Sequence, residues 1–262
     1  MKQYVVDVFA DQNFKGNQAA VCIFDSWISD ELMQNIAKEN NFSEMAFAVM
    51  NGENYELRWF TPNGEIDFCG HATIGTAYVI NRFYDTNRNT IKFITAHGEL
   101  LLNIKDGIVN MTAKAYPLNE VAITSEMIDA IGVVPQAAYK SRDLMFVLKS
   151  QNEVENLNFN TQLLKKLDAV CVAVTAKGDS FDCVSRVFAP QLDVIEDSVT
   201  GSTHCMIAPY WANVLNKNKL IAYQASDRSG IIYAKVEGDI VNIAGKVVLY
   251  SIADILPDGK LF

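Results

Sequence analysis

The chain has 262 residues, a hydrophobic fraction of 50 % and a formal charge of −9 from Lys+Arg 22 against Asp+Glu 31. That length fills one large core or two of ordinary size, and the negative balance argues against nucleic acid and anionic lipid as partners. No apolar run reaches the length of a membrane span, and Met1 leads straight into a strand pattern with no signal core, so a soluble, cytoplasmic protein is expected.

Residues 4–9 alternate and are β-rich, a polar loop over 10–18 carries Gly16-Asn17, and 19–24 is a second apolar run, so two paired strands are predicted. Ser29 is an N-cap candidate ahead of Asp30 and Glu31. Leu32, Ile36 and Ala37 follow at helical spacing, which predicts a helix over 30–39 that Asn40-Asn41 ends. Residues 42–49 read as a strand whose apolar run Glu44 interrupts, and 55–61 as another. Beyond Gly70 the segment 72–83 is apolar nearly all round, so it reads as a helix enclosed by the strands of its own lobe. Runs at 91–95, 99–104 and 108–112 supply such strands, with Lys105-Asp106-Gly107 as a hairpin turn. The second half offers helices near 125–131 and 161–167, strands at 144–148, 169–175 and 184–188, an apolar helix over 205–215, and a last hairpin around Gly238.

Two stretches repeat one pattern. Arg58-Trp-Phe-Thr-Pro62 runs through Gly-Glu-Ile-Asp to Cys69-Gly70-His71, and Arg186-Val-Phe-Ala-Pro190 runs through Glu196-Asp197 to Thr200-Gly201-Ser202. Each reads as a strand end, an acidic loop and the start of a helix, where unpaired N–H groups make a place for an anion. The hairpins ending in Ile108-Val-Asn-Met111 and Ile240-Val-Asn-Ile243 repeat as well. The duplication predicts an N-terminal lobe over 1–115, which the last few residues could join, and a C-terminal lobe over 116–262, the two sharing one ligand.

Three acids are candidates for chemistry: Glu44, Glu65 and Asp197. Glu44 stands among Phe42, Met45, Ala46 and Phe47, and apolar surroundings suit a carboxyl to moving protons near neutral pH. The plain alternative is a solvent-facing strand residue. Glu65 reads equally as an acid placed to suit a helix dipole, and Asp197 less so. His71 and Ser202 stand directly after the two glycines, able to hydrogen-bond a held carboxylate or to cap their helices. The five cysteines, Cys22, Cys69, Cys171, Cys183 and Cys205, are odd in number and widely spaced, which suits reduced core thiols. Cys69 stands apart at a predicted helix N-terminus, either as a small turn residue or as an activated thiol. His204 and His97 carry weaker claims. Three histidines without ligand spacing argue against a metal site, and no nucleophile elbow or phosphate-binding glycine loop calls for a triad or a cofactor.

These motifs resemble the PhzF-like isomerases of phenazine biosynthesis, which share a fold with diaminopimelate epimerase. The resemblance runs through Val6-Asp-Val-Phe, Gly16-Asn-Gln-Ala-Ala-Val21, Phe42-Ser-Glu-Met-Ala-Phe47, the stretch 58–73, Arg186-Val-Phe-Ala-Pro190, and Glu196 to Trp211. It implies an α+β fold of two pseudo-symmetric lobes, each a barrel-like sheet wrapped around a central helix, with the active site in the cleft between them. It also implies Glu44 as the proton-shuttling acid, with His71 and Asp197 as catalytic partners. Cys69, Gly70, Thr200, Gly201 and Ser202 would bind substrate. The substrate would be a small carboxylic acid, 2,3-dihydro-3-hydroxyanthranilate or an analogue, and the assembly a homodimer. Where the family has Pro after its acidic pair, this chain has Ser198, a departure that bears on substrate shape more than on mechanism.

Diaminopimelate epimerase itself places a Cys before the Gly in both lobes, and here Thr200 replaces the second. A threonine cannot act as a thiolate base, so two-thiol racemisation is disfavoured against one carboxyl working on one face. An epimerase using Cys69, and a two-lobed small-acid binding protein, are the rival expectations.

Overall fold

The computed structural model describes residues 1–192 and 194–256 and separates into two units. Unit 1 is Met1–Met111 together with the chain from Ala244 onward, and unit 2 is Thr112–Ile243. Residues 244–256 count with unit 1, at the end of the chain that the sequence reading allowed to join the N-terminal lobe. Residues 257–262, assigned to the C-terminal lobe from sequence, lie outside the described residues.

Unit 1 is a mixed sheet built from β1 (Lys2–Val8), β2 (Asn17–Phe24), β3 (Met45–Asn51), β4 (Asn54–Thr61), β5 (Gly64–Ile66), β6 (Thr90–Thr95), β7 (Gly98–Lys105) and the start of β8 (Ile108–Lys114). β1–β2, β3–β4 and β6–β7 are antiparallel, whereas β2–β3 and β4–β6 are parallel. β5 folds back antiparallel on the end of β4. The parallel steps need crossovers, and the chain supplies helices: α1 (Asp30–Asn40) between β2 and β3, and α2 (Gly70–Phe83) between β5 and β6. Ser29 caps α1 by accepting from the Leu32 N–H, and Asn41 ends it in the left-handed region at φ 53°. The turn between β7 and β8 puts Asp106 and Gly107 at φ 53° and 74°, the two positive angles that a tight two-residue hairpin demands.

The apolar run of α2 is buried from His71 to Ala77 and again at Val79 and Ile80, packed against β1, β2, β3 and β7. Gly75 is what lets it come so close: a Cβ there would lie 2.9 Å from Val6 and 3.3 Å from Val8. α1 covers the other face, where Met33, Ile36 and Ala37 meet Cys22, Phe47 and Phe60.

Unit 2 repeats this wiring. Its strands are β9 (Asn119–Glu120), β10 (Ala137–Lys140), β11 (Leu144–Val147), β12 (Val172–Lys177), β13 (Cys183–Ala189), β14 (Val194–Asp197), β15 (Lys219–Gln224) and β16 (Gly230–Glu237). β11–β12 and β13–β15 are parallel; β10–β11, β12–β13, β13–β14 and β15–β16 are antiparallel. Strand for strand, β11, β12, β13, β14, β15 and β16 reproduce β2 to β7 in direction and partner. The short helices α4 (Gln151–Glu155) and α5 (Thr161–Leu164) stand where α1 stands, and α6 (His204–Leu215) where α2 stands, while α3 (Ser125–Ile131) lies between β9 and β10. The last strand, β17 (Ile240–Asp254), begins in unit 2 and pairs with β1 over its second half, with a bulge between Val5 and Val6.

α6 carries Pro209 inside it, and a proline there cannot donate to the Cys205 carbonyl four residues back. The Tyr116 N–H does so instead, at 2.9 Å, so the helix continues without an orphaned acceptor. Among the described residues no helix is long and apolar enough to cross a membrane.

Candidate active site

The first repeated stretch places its groups at the N-terminus of α2. Cys69 takes the N-cap position in extended conformation without capping through its side chain, and the Thr73 hydroxyl donates to its carbonyl at 2.6 Å. Trp59 donates to the same hydroxyl at 3.1 Å, which pins the first turn to β4. His71 is largely buried, and its Nε2 lies 3.1 Å from the Gln18 carbonyl and 3.5 Å from a Glu44 carboxylate oxygen. A carbonyl only accepts, so Nε2 carries the proton and Nδ1 is the acceptor. Nδ1 faces the Cys69 sulfur at 3.5 Å. Glu44 precedes β3 rather than standing inside it, because α1 runs on to Asn40 and residues 41–44 form the connection. Its side chain keeps 23 % of its accessible surface, so the carboxyl is shielded but still reachable. One ligand atom from each of Glu44, Cys69 and His71 falls within 4.8 Å of the others, a proximity that the spacing of these residues in the sequence does not show.

Glu65, the remaining acid of this stretch, is tied up. Arg58 grips it through Nε and Nη2 at 2.7 Å each and reaches Asp30 at 2.7 Å. Donation to Glu65 and then to Asp30 raises the pKa of the Arg58 guanidinium. Glu65 is therefore structural.

The second stretch places its groups before α6. The Thr200 hydroxyl donates to Asp197 at 2.5 Å, the Thr200 N–H to Gln224 at 2.9 Å, and Gln224 donates in turn to the Asp197 carbonyl at 2.8 Å. Thr200 is buried and its side chain is committed to Asp197, so it orders the loop. His204, fully buried, donates from Nδ1 to the Thr200 carbonyl at 2.8 Å, while Nε2 lies 3.5 Å from the Ser185 hydroxyl. Burial holds its pKa down at about 4, so it is a neutral structural residue. Gly201 is buried and Ser202 half-buried, with the Ser202 hydroxyl accepting from Arg142 at 3.0 Å. His97, in unit 1, pairs with Asp67 at 3.0 Å, both exposed.

With this geometry in hand, similarity to known proteins is informative. Residues 6–252 match the family model for phenazine biosynthesis-like proteins, PhzC-PhzF. The chain belongs to the PhzF family. An uncharacterized isomerase of Pseudomonas aeruginosa is 43 % identical over 93 % of this chain and 94 % of its own length. The crystal structure of a PhzF-family protein from Enterococcus faecalis superimposes with a TM-score of 0.95 at 42 % identity, over 97 % of this chain and 98 % of that one. A predicted epimerase from Pseudomonas aeruginosa shares the fold at TM-score 0.75 and 18 % identity, over 97 % and 99 % of the two chains. The protein is thus an isomerase of PhzF type.

Within this PhzF chain several supporting residues carry no sequence signal. Asp143 is fully buried and accepts from Arg142 through both oxygens at 2.8 and 2.9 Å, from Thr203 at 2.8 Å and from the Cys171 N–H at 3.2 Å. Burial works to lower the Arg142 pKa, and its pairing with Asp143 outweighs that and raises it. In sequence Arg142-Asp143 is an ordinary pair of adjacent opposite charges. The same holds for the Gln18 carbonyl, which no side-chain reading could find. Gln224 did leave a trace, as a polar residue closing an apolar strand.

Proposed function

We propose that the protein is an isomerase in which Glu44 alone removes and returns a proton on one face of a small unsaturated amino or hydroxy carboxylic acid, 2,3-dihydro-3-hydroxyanthranilate or an analogue. The observation that carries this is the placement of Glu44: a partly shielded carboxyl 3.5 Å from a histidine whose proton position is set by a backbone carbonyl. The His71 ring, held by the Gln18 carbonyl, gives that carboxyl a fixed polar neighbour while its proton comes and goes. The backbone N–H groups of the first turn of α2, with Gly70 leaving them unobstructed, suit a substrate carboxylate. Within unit 2, Thr200 keeps the loop that carries Asp197 and Ser202 in shape.

Candidate acids incubated with the enzyme in heavy water, followed by mass measurement of recovered substrate and product, test the reading. Deuterium incorporation that Glu44→Gln lowers by roughly 10² to 10⁴ supports it, with unchanged circular dichroism showing the fold intact. Full incorporation by Glu44→Gln identifies another base. A second reading has its own observation, the Cys69 thiol facing His71 Nδ1 at 3.5 Å: an epimerase working through that thiol. Inversion at a stereocentre, abolished by Cys69→Ser and retained in Glu44→Gln, would establish it instead.

A further inference from the structure

We propose that Cys69, His71 and Glu44 form a site for a thiophilic divalent cation of the zinc type, and that its occupation switches the isomerase off. Thiolate, imidazole and carboxylate are the donor set that a zinc ion takes, and three protein ligands leave a fourth position open. The spacing fits. Zinc bonds of about 2.3 Å to sulfur and about 2.0 Å to nitrogen at the tetrahedral angle give a sulfur–nitrogen edge of about 3.5 Å. The observed Cys69 Sγ to His71 Nδ1 distance is 3.5 Å.

The proton arrangement on His71 fits independently. Because Nε2–H is turned to the Gln18 carbonyl at 3.1 Å, the Nδ1 lone pair is left for the side where the sulfur lies. A zinc-bound histidine characteristically donates its other N–H to a carbonyl or carboxylate in this way, which fixes the ring and strengthens the ligand. Cys69 and His71 sit at the start of α2, both just over nine-tenths buried, so two ligands are preorganised. Glu44, on the connection ahead of β3, completes the set: one ligand atom from each of the three residues lies within 4.8 Å of the others.

Competing ligands are weak among the described residues. Burial pushes the thiols of Cys22, Cys171, Cys183 and Cys205 each up to about 12, so they stay protonated in the core. Both ring nitrogens of His204 have protein partners, and His97 has only Asp67 beside it. One ion per chain is therefore expected. On ligation the Cys69 proton leaves to solvent. The ion then holds Glu44 away from substrate. The loss of activity, though not the binding, rests on Glu44 being the working acid.

Titration of the intact chain with Co²⁺, and with Zn²⁺ against a chromogenic chelator, tests the site without any assay of turnover. The expected result is one ion per chain, with a thiolate-to-cobalt charge-transfer band in the near ultraviolet. Cys69→Ser should abolish the band and weaken zinc at least about tenfold, given that losing even an outer partner costs about that much. Glu44→Gln, on an exposed connection, should weaken zinc while keeping the band, and His97→Gln should change neither. No thiolate band, or zinc affinity unaltered in Cys69→Ser, overturns the site. Stoichiometric binding with undiminished deuterium exchange overturns the switch alone. Exchange that persists in metal-free Glu44→Gln counts against the catalytic reading and not against the ion site.

Discussion

The two units solve one folding problem identically and then diverge in chemistry. β2 to β7 and β11 to β16 have the same directions and partners, and in each the arginine of the central strand grips a glutamate of the short strand that folds back on it, β5 or β14, with two hydrogen bonds. The residue just before β3 is Glu44, and the residue just before the equivalent β12 is Cys171, a buried thiol held protonated by its surroundings. At the helix starts, Cys69 and His71 of unit 1 correspond to Thr200 and Ser202 of unit 2. Unit 1 thus collects a carboxyl, a thiol and an imidazole, and unit 2 collects hydroxyls and a carboxylate ordered by Gln224, His204 and the Arg142–Asp143 pair. A duplicated scaffold leaves each copy free to specialise, because the side chains at the junction are not the ones that hold the sheet together.

The largest effect expected from breaking this asymmetry is at Glu44. Substitution by Gln keeps shape and hydrogen bonding and removes only the proton traffic, so turnover should fall by roughly 10² to 10⁴ with the melting temperature nearly unchanged. A parallel loss of both would mean that Glu44 is a structural partner of His71.

Next comes Arg186. It grips Glu196 at 2.7 and 2.9 Å, approaches the carbonyls of Val154, Glu155 and Leu157 at the end of α4, and lies over the rings of Phe159 and Phe188. Both members of the pair are mostly buried, 13 % and 20 % exposed. Arg186→Met leaves the Glu196 carboxylate without its cation in a dry setting, and a loss of about 3 kcal/mol in urea denaturation is expected.

Much of this architecture is legible before any coordinates. The buried character of α2 follows from an apolar segment with no polar face, and the doubling from Arg58–Thr73 against Arg186–His204. What escapes has a physical reason. β5, β14 and α4 are too short for a periodic signal, and β10 has only four residues whose alternation is incomplete. Glu44 was read as lying within its strand because the apolar pattern does not reveal that Asn41 ends α1 late and in the left-handed region. At the site, the residue types were readable and their commitments were not. Glu65 and Asp197 look alike as loop acids, and only the fold shows that one is gripped by Arg58 while the other accepts from Thr200.

A third effect concerns pH, and falls on unit 2 alone. Buried His204 titrates at about 4 in the fold against an ordinary value near 6.5, so between those values the unfolded chain binds the extra proton. Its contribution is therefore complete above pH 6.5 and declines as pH falls toward 4, by about 2 kcal/mol between pH 7 and pH 5. Urea midpoints at the two pH values measure it. His204→Gln should flatten that part of the dependence, since glutamine has no proton to gain.

The smallest effect should be at Arg58, and it sharpens the contrast between the clamps. Arg58 repeats Arg186 in sequence and in its two-pronged grip, and it too lies over aromatic rings, those of Trp27 and Phe60. Yet its partners are wet: Glu65 is 42 % exposed and Asp30 76 %. Water can replace the guanidinium at both carboxylates, so Arg58→Met should cost only about 1 kcal/mol. Salt separates the two cases further, since about 1 M screens the exposed pair over roughly 3 Å and should shrink the Arg58 difference while leaving the Arg186 difference largely in place. Equal losses at the two arginines, equally sensitive to salt, would mean that burial does not set the strength of these clamps, and that the common grip on the acidic loop is what matters in both units.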